Sequence, residues 1–272
     1  MGAKVRKLLK GRVELEGTNP FDADWAPQRV ALLAQWSPEP TLSRSVRTLV
    51  AQLRAADFDV VLVSACESPV ELEWEGGRPD RVAVLRKPNI GYDFGSWSIG
   101  LEHFPAIATA PRTLLANDSL VGPFASIQPL LDDFLTSETD TWGATDNTQH
   151  GHHLQSFFFG FHDGILADPL VERFWANVRE EEVKWNIITK YEVGLSQLLW
   201  REGYTRRAMF PNHTVATELD NPAISGWLPL LEAGFPWVKR ELLFNADLED
   251  EGSAEVPAMV MKLFGEDVWE WL

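Results

Sequence analysis

Apolar runs alternate with segments of helical periodicity along the first half of the chain. Arg29–Gln35 is a compact apolar run followed by Ser-Pro, which predicts a buried strand. In Ser43–Ala56 the apolar residues recur at helical spacing, which predicts a helix capped by Thr41 or Ser43. Phe58–Ala65 is apolar and β-branched on both faces, as a central parallel strand is. The remaining predicted elements are strands at Arg81–Leu85, Arg112–Ala116, Trp142–Thr145 and Ser156–Phe161 and helices at Leu170–Val178 and Ile188–Arg201.

This order of elements predicts an α/β fold. Strand–helix–strand units with short turns form right-handed crossovers, which give a mostly parallel central sheet flanked by helices. No internal repeat or low-complexity linker divides the chain. We therefore expect a basic N-terminal segment at 1–28, a single α/β domain at 29–245, and an acidic loop with a C-terminal helix at 246–272.

Composition narrows the classes of function. The chain has 272 residues with 24 Lys+Arg against 40 Asp+Glu, and its net charge of −16 argues against nucleic-acid binding, since phosphate contacts need a clustered basic face. The single cysteine, Cys66, excludes an internal disulfide and cysteine-based zinc modules. No apolar stretch approaches the roughly 20 residues of a membrane span, and no secretory signal is visible. We therefore expect a cytoplasmic protein.

The first twelve residues differ in charge from the rest. This segment holds five basic residues and no acid, and Val5, Leu8 and Leu9 fall on one helical face between them. One interpretation is a short helix at residues 4–12 that lies on an anionic membrane surface, at the inner face of the membrane. The other is a frayed, solvated terminus.

Polar clusters follow four of the predicted strands. They are Trp36-Ser37, Cys66-Glu67-Ser68, the segment Lys87–Trp97, and Asn117-Asp118-Ser119. Because ligands bind outside the carboxyl ends of parallel strands, we expect these clusters to converge on one binding edge. The Walker lysine motif, G-x-G-x-x-G and G-x-S-x-G do not occur, so the clusters match none of these familiar phosphate-binding or hydrolase motifs.

Several of these residues suggest specific chemistry, each with a plainer alternative. Asp118 leaves a buried strand where a carboxylate could hold a hard cation that bridges a diphosphate, but Asn-Asp-Ser is also ordinary turn chemistry. Gly91 and Gly95 flank Asp93, and a backbone can approach a ligand closely at glycine. Lys239 either places a cation near the diphosphate or lies on the surface. The histidines of HGHH, at 150–153, either bind a metal or form a polar loop.

Five motifs, in order, resemble the signature of the rhamnan synthesis protein F family: PNIGYDFGSW, LLANDSLVGPF, DTWGATD, HLQSFFFGF and KYEVGL. The resemblance covers about residues 29 to 240. It implies a GT-A-like, Rossmann-type glycosyltransferase fold. It also implies transfer of a deoxysugar, typically L-rhamnose from a dTDP donor, onto a growing cell-surface polysaccharide.

The resemblance also assigns roles to residues. It implies a nucleotide-sugar pocket, a Mg²⁺ or Mn²⁺ site and a catalytic base, although this chain has one acid in the metal motif where GT-A enzymes usually have Asp-x-Asp. The expected nucleotide-sugar-binding residues are Asn89, Gly91, Asp93, Asn117 and Lys239. The expected metal ligands are Asp118 and His213, and the base is Glu192 with Asp146 as second choice. The expected acceptor-binding residues are His153, Gln155 and Trp142.

Two classes of function remain open at this stage. The first is a metal-assisted, inverting glycosyltransferase whose partners are a nucleotide sugar and a glycan or lipid-linked glycan acceptor. The second is a nucleotide- or glycan-binding module that has lost catalysis, which the missing second acid of the metal motif allows. For Glu192 the plainer alternative to a catalytic base is an acid in the first turn of a helix, which the helix dipole favours.

Overall fold

A nine-stranded sheet forms the centre of the protein in a computed structural model that describes residues 2–217 and 220–272. The strands are β1 (Glu14–Leu15), β2 (Arg29–Gln35), β3 (Asp59–Ser64), β4 (Val82–Arg86), β5 (Arg112–Asn117), β6 (Leu120–Val121), β7 (Thr141–Asn147), β8 (His153–Leu154), β9 (Phe158–His162), β10 (Arg206–Phe210) and β11 (Val238–Lys239). The α-helices are α1 (Val5–Leu8), α2 (Arg44–Ala55), α3 (Tyr92–His103), α4 (Gln128–Thr136), α5 (Pro169–Ala176), α6 (Lys184–Ile187), α7 (Val193–Arg201), α8 (Asn212–Val215), α9 (Trp227–Glu232), α10 (Glu241–Phe244) and α11 (Val256–Phe264).

The order of the strands is β1-β4-β3-β2-β5-β9-β7-β10, and β8 pairs with β7. The four strands from β2 to β5 in sequence run parallel, whereas β9 is antiparallel to both of its neighbours, β5 and β7. A separate two-stranded sheet pairs β11 with β6. The predicted fold class, an α/β domain with a mostly parallel central sheet flanked by helices, is confirmed.

The parallel strands are buried on both faces, which explains their continuous apolar sequences. In β2, Ala31 and Leu33 belong to the same core cluster as Val46 of α2. Val30 and Leu32 point to the other face, into the cluster that contains Phe94 of α3. Two cores, one on each side of the sheet, therefore hold the strands in place.

The helices α2 and α3 lie on opposite faces, and this arrangement creates a crevice. The connection β2–α2–β3 leads away from β2 in one direction, whereas β4–α3–β5 returns to place β5 on the other side of β2. In open α/β sheets such a reversal of strand order opens a ligand-binding crevice at the carboxyl ends of the strands. Here it lies between the ends of β2 and β5.

The predicted elements named above match the observed ones within two residues at each end, apart from the last helix. Its range is divided into a π-helical turn at Ile188–Glu192 and the helix α7. At the start of α2, the Ser43 hydroxyl accepts a hydrogen bond from the backbone N–H of Val46 at 3.3 Å, as an N-cap residue does. The sequence interpretation missed the longer elements α3, α4 and β10, the short strands β1, β6, β8 and β11, and the short helices α6, α8, α9 and α10.

The basic N-terminal segment is neither frayed nor available to a membrane through its apolar face. Val5 and Leu9 are fully buried in the core beside α3. A Cβ at Gly91 would lie 2.6 Å from Val5 Cγ2, so α1 can pack against the start of α3 because this residue is a glycine. Arg6 Nε donates to Ser98 Oγ at 3.0 Å. Gly91 therefore permits the packing with α1, and the close approach of a ligand at this glycine stays a prediction.

The acidic segment near the C-terminus is helical rather than an open loop. It forms 3₁₀ turns at Ala246–Glu251 and Ser253–Glu255, which lead into α11. Val256 and Val260 are buried in a third core cluster with Trp227. In the part of the chain that the structure describes, no helix combines the length and the apolar character needed to cross a bilayer.

The packing of α1 predicts the effect of shortening Val5. Val5→Ala removes two fully buried methyl groups and should lower the free energy of unfolding by about 2 kcal/mol. Val70→Ala is the matched control, because Val70 is 57% exposed and its truncation should change stability by less than about 0.5 kcal/mol. Urea denaturation measures both variants. Equal stabilities of the two variants would contradict the packed N-terminus.

Candidate functional site

An open cleft of about 930 Å³ lies at the carboxyl end of β5 and the first turn of α3. The sheet side of the cleft is lined by Asp93, Asn117 and the residues that precede β9. Lys239 lies beside them, and the other side is lined by α6, the π-helical turn and the segment 241–245. The cleft thus lies at the carboxyl end of β5, and elements of the second half of the chain close over it, whereas no residue of β2 lines it.

The side chain of Asn117 organises the polar surface of this cleft. Its Nδ2 donates to Asp93 Oδ2 at 2.7 Å, which joins the end of β5 to the first turn of α3. Its Oδ1 accepts from both the backbone N–H and the hydroxyl of Ser119, at 3.1 and 2.6 Å. Burial raises the pKa of Asp93 to about 6, against the opposing influence of Lys239 and of the Asn117 amide. Asn117, Asp93 and Ser119 thus form one preorganised hydrogen-bonded group.

Asp118 points away from this group, toward the end of β2. Its Oδ2 accepts the backbone N–H of Trp36 at 2.8 Å. Burial raises the pKa of Asp118 to about 7, so the carboxyl is partly protonated near neutral pH. Asp118 therefore connects β5 to β2 and is not among the residues that line the cleft.

The residues present do not fit the divalent cation that the resemblance implies. His213 is exposed on α8 and does not line the cleft with the other site residues. Among residues 2–217 and 220–272, no group of three or more His, Cys, Asp or Glu side chains is placed to hold a metal ion. A hard cation is bound by several oxygen atoms, whereas Asp118 Oδ2, Asn117 Oδ1 and Asp93 Oδ2 already accept hydrogen bonds within the protein.

Lys239 brings a positive charge to the same place. It lies on β11, and its Nζ is 3.4 Å from Ser119 Oγ and 5.0 Å from the centre of the Phe157 ring. Burial lowers the pKa of Lys239, while the nearby carboxylates of Glu192 and Asp93 act in the opposite direction. Lys239 is half-buried and lines the cleft, and its place beside a diphosphate stays a prediction.

Glu192 lies in the π-helical turn on the other side of the cleft. Its Oε1 accepts hydrogen bonds from the backbone N–H and the hydroxyl of Ser156, at 2.6 and 2.9 Å. Within the described residues, Oε2 has no hydrogen-bond partner, and Glu192 lines the cleft. The carboxylate is therefore held by one oxygen and presents the other.

The remaining predicted site residues are divided between the cleft and the protein interior. Gln155 lines the cleft and donates to Asn221 Oδ1 at 3.1 Å. His153 is buried, with its Nδ1 2.7 Å from the carbonyl oxygen of Gly151, and does not line the cleft. Trp142 is fully buried and donates to Asp133 Oδ2 at 2.7 Å, so it is a core residue and not a surface for an acceptor sugar.

Two further predicted residues lie away from the cleft. Asp146 accepts the backbone N–H of Asn212 at 2.6 Å and contacts His152 Nε2 at 2.5 Å. Burial by itself would raise its pKa, but these hydrogen bonds outweigh burial and lower it, so Asp146 is a structural carboxylate. Asn89 is exposed and lines a separate depression beside β4.

Sequence reasoning missed two aromatic residues at the cleft. Trp185, on α6, is 49% exposed, and Phe244, at the end of α10, is 62% exposed. Both line the cleft, and an ion pair between Lys184 Nζ and Glu241 Oε2 at 3.4 Å joins the two helices. The sequence could not separate these residues from core aromatics, because it does not show which of the many apolar side chains remain uncovered.

The chain is similar to several known proteins. Virulence protein VirA of Vibrio anguillarum (strain ATCC 68554 / 775) is 28% identical over 224 residues, which cover 70% of this chain and 71% of that protein. The uncharacterized protein y4gN of Sinorhizobium fredii (strain NBRC 101917 / NGR234) is 25% identical over 229 residues, covering 82% of this chain but 57% of the relative. A glycosyltransferase involved in the glycosylation of the major capsid of PBCV-1 matches 84% of this chain and 99% of its own, with 13% identity and a TM-score of 0.43.

The match to the sequence model of one family shows to which family the chain belongs. The model of rhamnan synthesis protein F matches residues 80–267, which is more than half of the chain. The matched region contains α3, β5, the π-helical turn and β11, and therefore every element that lines the cleft. The chain belongs to the rhamnan synthesis protein F family.

Proposed function

We propose that this protein is a glycosyltransferase of polysaccharide synthesis, with a nucleoside-diphosphate sugar as donor and a glycan as acceptor. One observation carries the proposal: a single cleft combines a polar, preorganised group at strand ends with a carboxylate that presents a free oxygen. The family supports a polysaccharide product. L-rhamnose from dTDP-rhamnose is the first donor to test, because the family is named for rhamnan synthesis.

The donor is assigned to the sheet side of the cleft. Lys239 offers a positive charge for a diphosphate, and ammonium groups are common partners of phosphate oxygens. Asp93 and Asn117 offer a carboxylate and an amide, which suit the hydroxyl groups of a sugar or ribose. Of the other two residues expected at the donor site, Gly91 only shapes the start of α3, and Asn89 lies outside the cleft.

Glu192 is assigned as the general base. Its carboxylate takes the proton of an acceptor hydroxyl while the hydroxyl oxygen forms a bond to the anomeric carbon of the donor. The bond from that carbon to the phosphate oxygen breaks, and its electron pair leaves with the nucleoside diphosphate. One carboxylate on the acceptor side suits a single displacement, which inverts the anomeric centre. General bases contribute roughly 10²–10⁴-fold to rate.

The acceptor is assigned to the aromatic side of the cleft. Trp185 and Phe244 leave large apolar surfaces in water, and such exposed surfaces mark binding sites when they line a cleft. The apolar face of a pyranose ring can pack on an aromatic ring, while Gln155 can bind its hydroxyls. This assignment replaces Trp142 and His153 with residues that reach the cleft.

Removing the proposed base tests the reaction. Glu192→Gln keeps an oxygen that accepts the Ser156 hydrogen bonds but removes the basic oxygen, so kcat should fall by about 10²–10⁴-fold. The affinity for the nucleotide sugar should stay within about threefold of the wild-type value. Glu202→Gln, at the exposed end of α7, is the matched control and should keep full activity. Full transfer activity in Glu192→Gln would remove Glu192 from this role.

Shortening the aromatic side tests the acceptor site. Trp185→Ala should raise the KM for a rhamnose-containing glycan acceptor by up to about tenfold, because an aromatic packing contact is lost. Binding of the donor, measured by calorimetry, should not change. Val183→Ala is the control, since Val183 is 54% exposed on the same segment and does not line the cleft. An unchanged acceptor KM in Trp185→Ala would place the acceptor elsewhere.

The alternative function is a binding module without catalysis. The missing set of metal ligands among the described residues favours it, since a GT-A-like protein without its metal could retain ligand binding alone. Nucleotide-sugar binding without turnover, across a panel of glycan acceptors, would support this alternative.

A further inference from the structure

Resting on the proposed transferase function, we propose that Lys239 supplies the positive charge that holds the donor diphosphate, and that donor binding needs no divalent metal. The backbone of Arg240 and the side chain of Ser119 support Lys239 in this position. The ammonium group would partly neutralise the negative charge of the diphosphate, as a bound cation does in metal-dependent enzymes.

The position of Lys239 is the first support. Its strand, β11, pairs with β6, so that Lys239 lies opposite Leu120, and the N–H of Arg240 donates to the carbonyl oxygen of Ser119 at 2.9 Å. These backbone contacts fix the lysine beside the Asn117-Asp118-Ser119 segment. Its Nζ, 3.4 Å from Ser119 Oγ, lies next to the motif from which a metal ligand was expected.

The second support is that Lys239 forms no ion pair with any of the described residues. In the described part of the chain, no carboxylate lies within 4.0 Å of Nζ, although ten other Lys or Arg residues form such ion pairs there. Its contacts are the Ser119 hydroxyl and the face of the Phe157 ring. The carboxylates of Glu192 and Asp93 act on this ammonium only from a distance. A half-buried ammonium without a directly paired anion is costly to desolvate, and a bound diphosphate would compensate that cost.

The neighbouring oxygen atoms are the third support. Asn117 carries no charge and uses both ends of its amide on Asp93 and Ser119. Asp118 accepts from the backbone of Trp36. A divalent cation here would also lie close to the Lys239 ammonium, and two like charges repel strongly in a partly dry site. A diphosphate next to Lys239 meets no such repulsion from the ammonium.

Calorimetric titration of dTDP, UDP and GDP into the full chain tests this proposal. Each nucleotide is titrated once in EDTA and once with Mg²⁺ or Mn²⁺. We expect at least one nucleotide to bind, with a Kd in EDTA within about threefold of the Kd with metal. Lys239→Met should weaken that binding at least tenfold, and Lys239→Arg should restore most of it, because it keeps the charge. Lys262→Met, on the exposed part of α11, is the control and should bind normally.

The outcomes separate this inference from the proposed function. Binding that occurs only with a metal would overturn the inference and leave the transferase proposal standing. Equal affinities of the wild type and Lys239→Met in EDTA would remove Lys239 from the diphosphate site. If Lys239→Met unfolds, the comparison between Lys239→Arg and the wild type, with and without EDTA, decides the question of metal. No binding of any of the three nucleotides under either condition would count against the proposed function itself.

Discussion

Burial of both faces of the parallel strands is the constraint on which the rest of this structure depends. Strands β2 to β5 carry apolar side chains on both sides, so helices must cover both faces, and polar side chains have room only where the strands end. The order β4-β3-β2-β5 then brings the end of β5 beside that of β2. The hydrogen bonds of Asn117 and Asp118 use this proximity, one toward α3 and the other toward β2.

The second half of the chain completes the cleft. The antiparallel strand β9 lies next to β5, and the residues that precede it meet the π-helical turn through the hydrogen bonds between Ser156 and Glu192. The pairing of β11 with β6 brings Lys239 to the same place from the C-terminal part of the sequence. Residues more than 100 positions apart, such as Asp93 and Lys239, thus line one cleft, and each has an electrostatic influence on the other.

The sequence predicted the elements whose signal is local. The strand Arg29–Gln35 and the helix capped by Ser43 are visible from apolar spacing and capping chemistry alone. The sequence could not predict which of the other apolar side chains are buried, because long-range contacts decide their burial. From the sequence, Leu9 could face lipid or solvent, but in the structure it is buried beside α3. Trp142 could pack on a sugar, but in the structure it is buried against Phe134 and Phe158. The exposure of Trp185 could not be predicted either, because it depends on which distant segments do not pack against this side chain.

Thermal unfolding with nucleotide sugars of different bases tests most directly whether this cleft binds a nucleotide sugar. A ligand at 100 times its Kd adds about 2.7 kcal/mol of stability, which for a chain of this size raises Tm by roughly 5–10 °C. We expect the sugars of one base, with dTDP-rhamnose the first to test, to stabilise the protein in this way. If millimolar concentrations of dTDP, UDP, GDP and CMP sugars all leave Tm unchanged, with and without Mg²⁺ or Mn²⁺, the assignment of the cleft is contradicted.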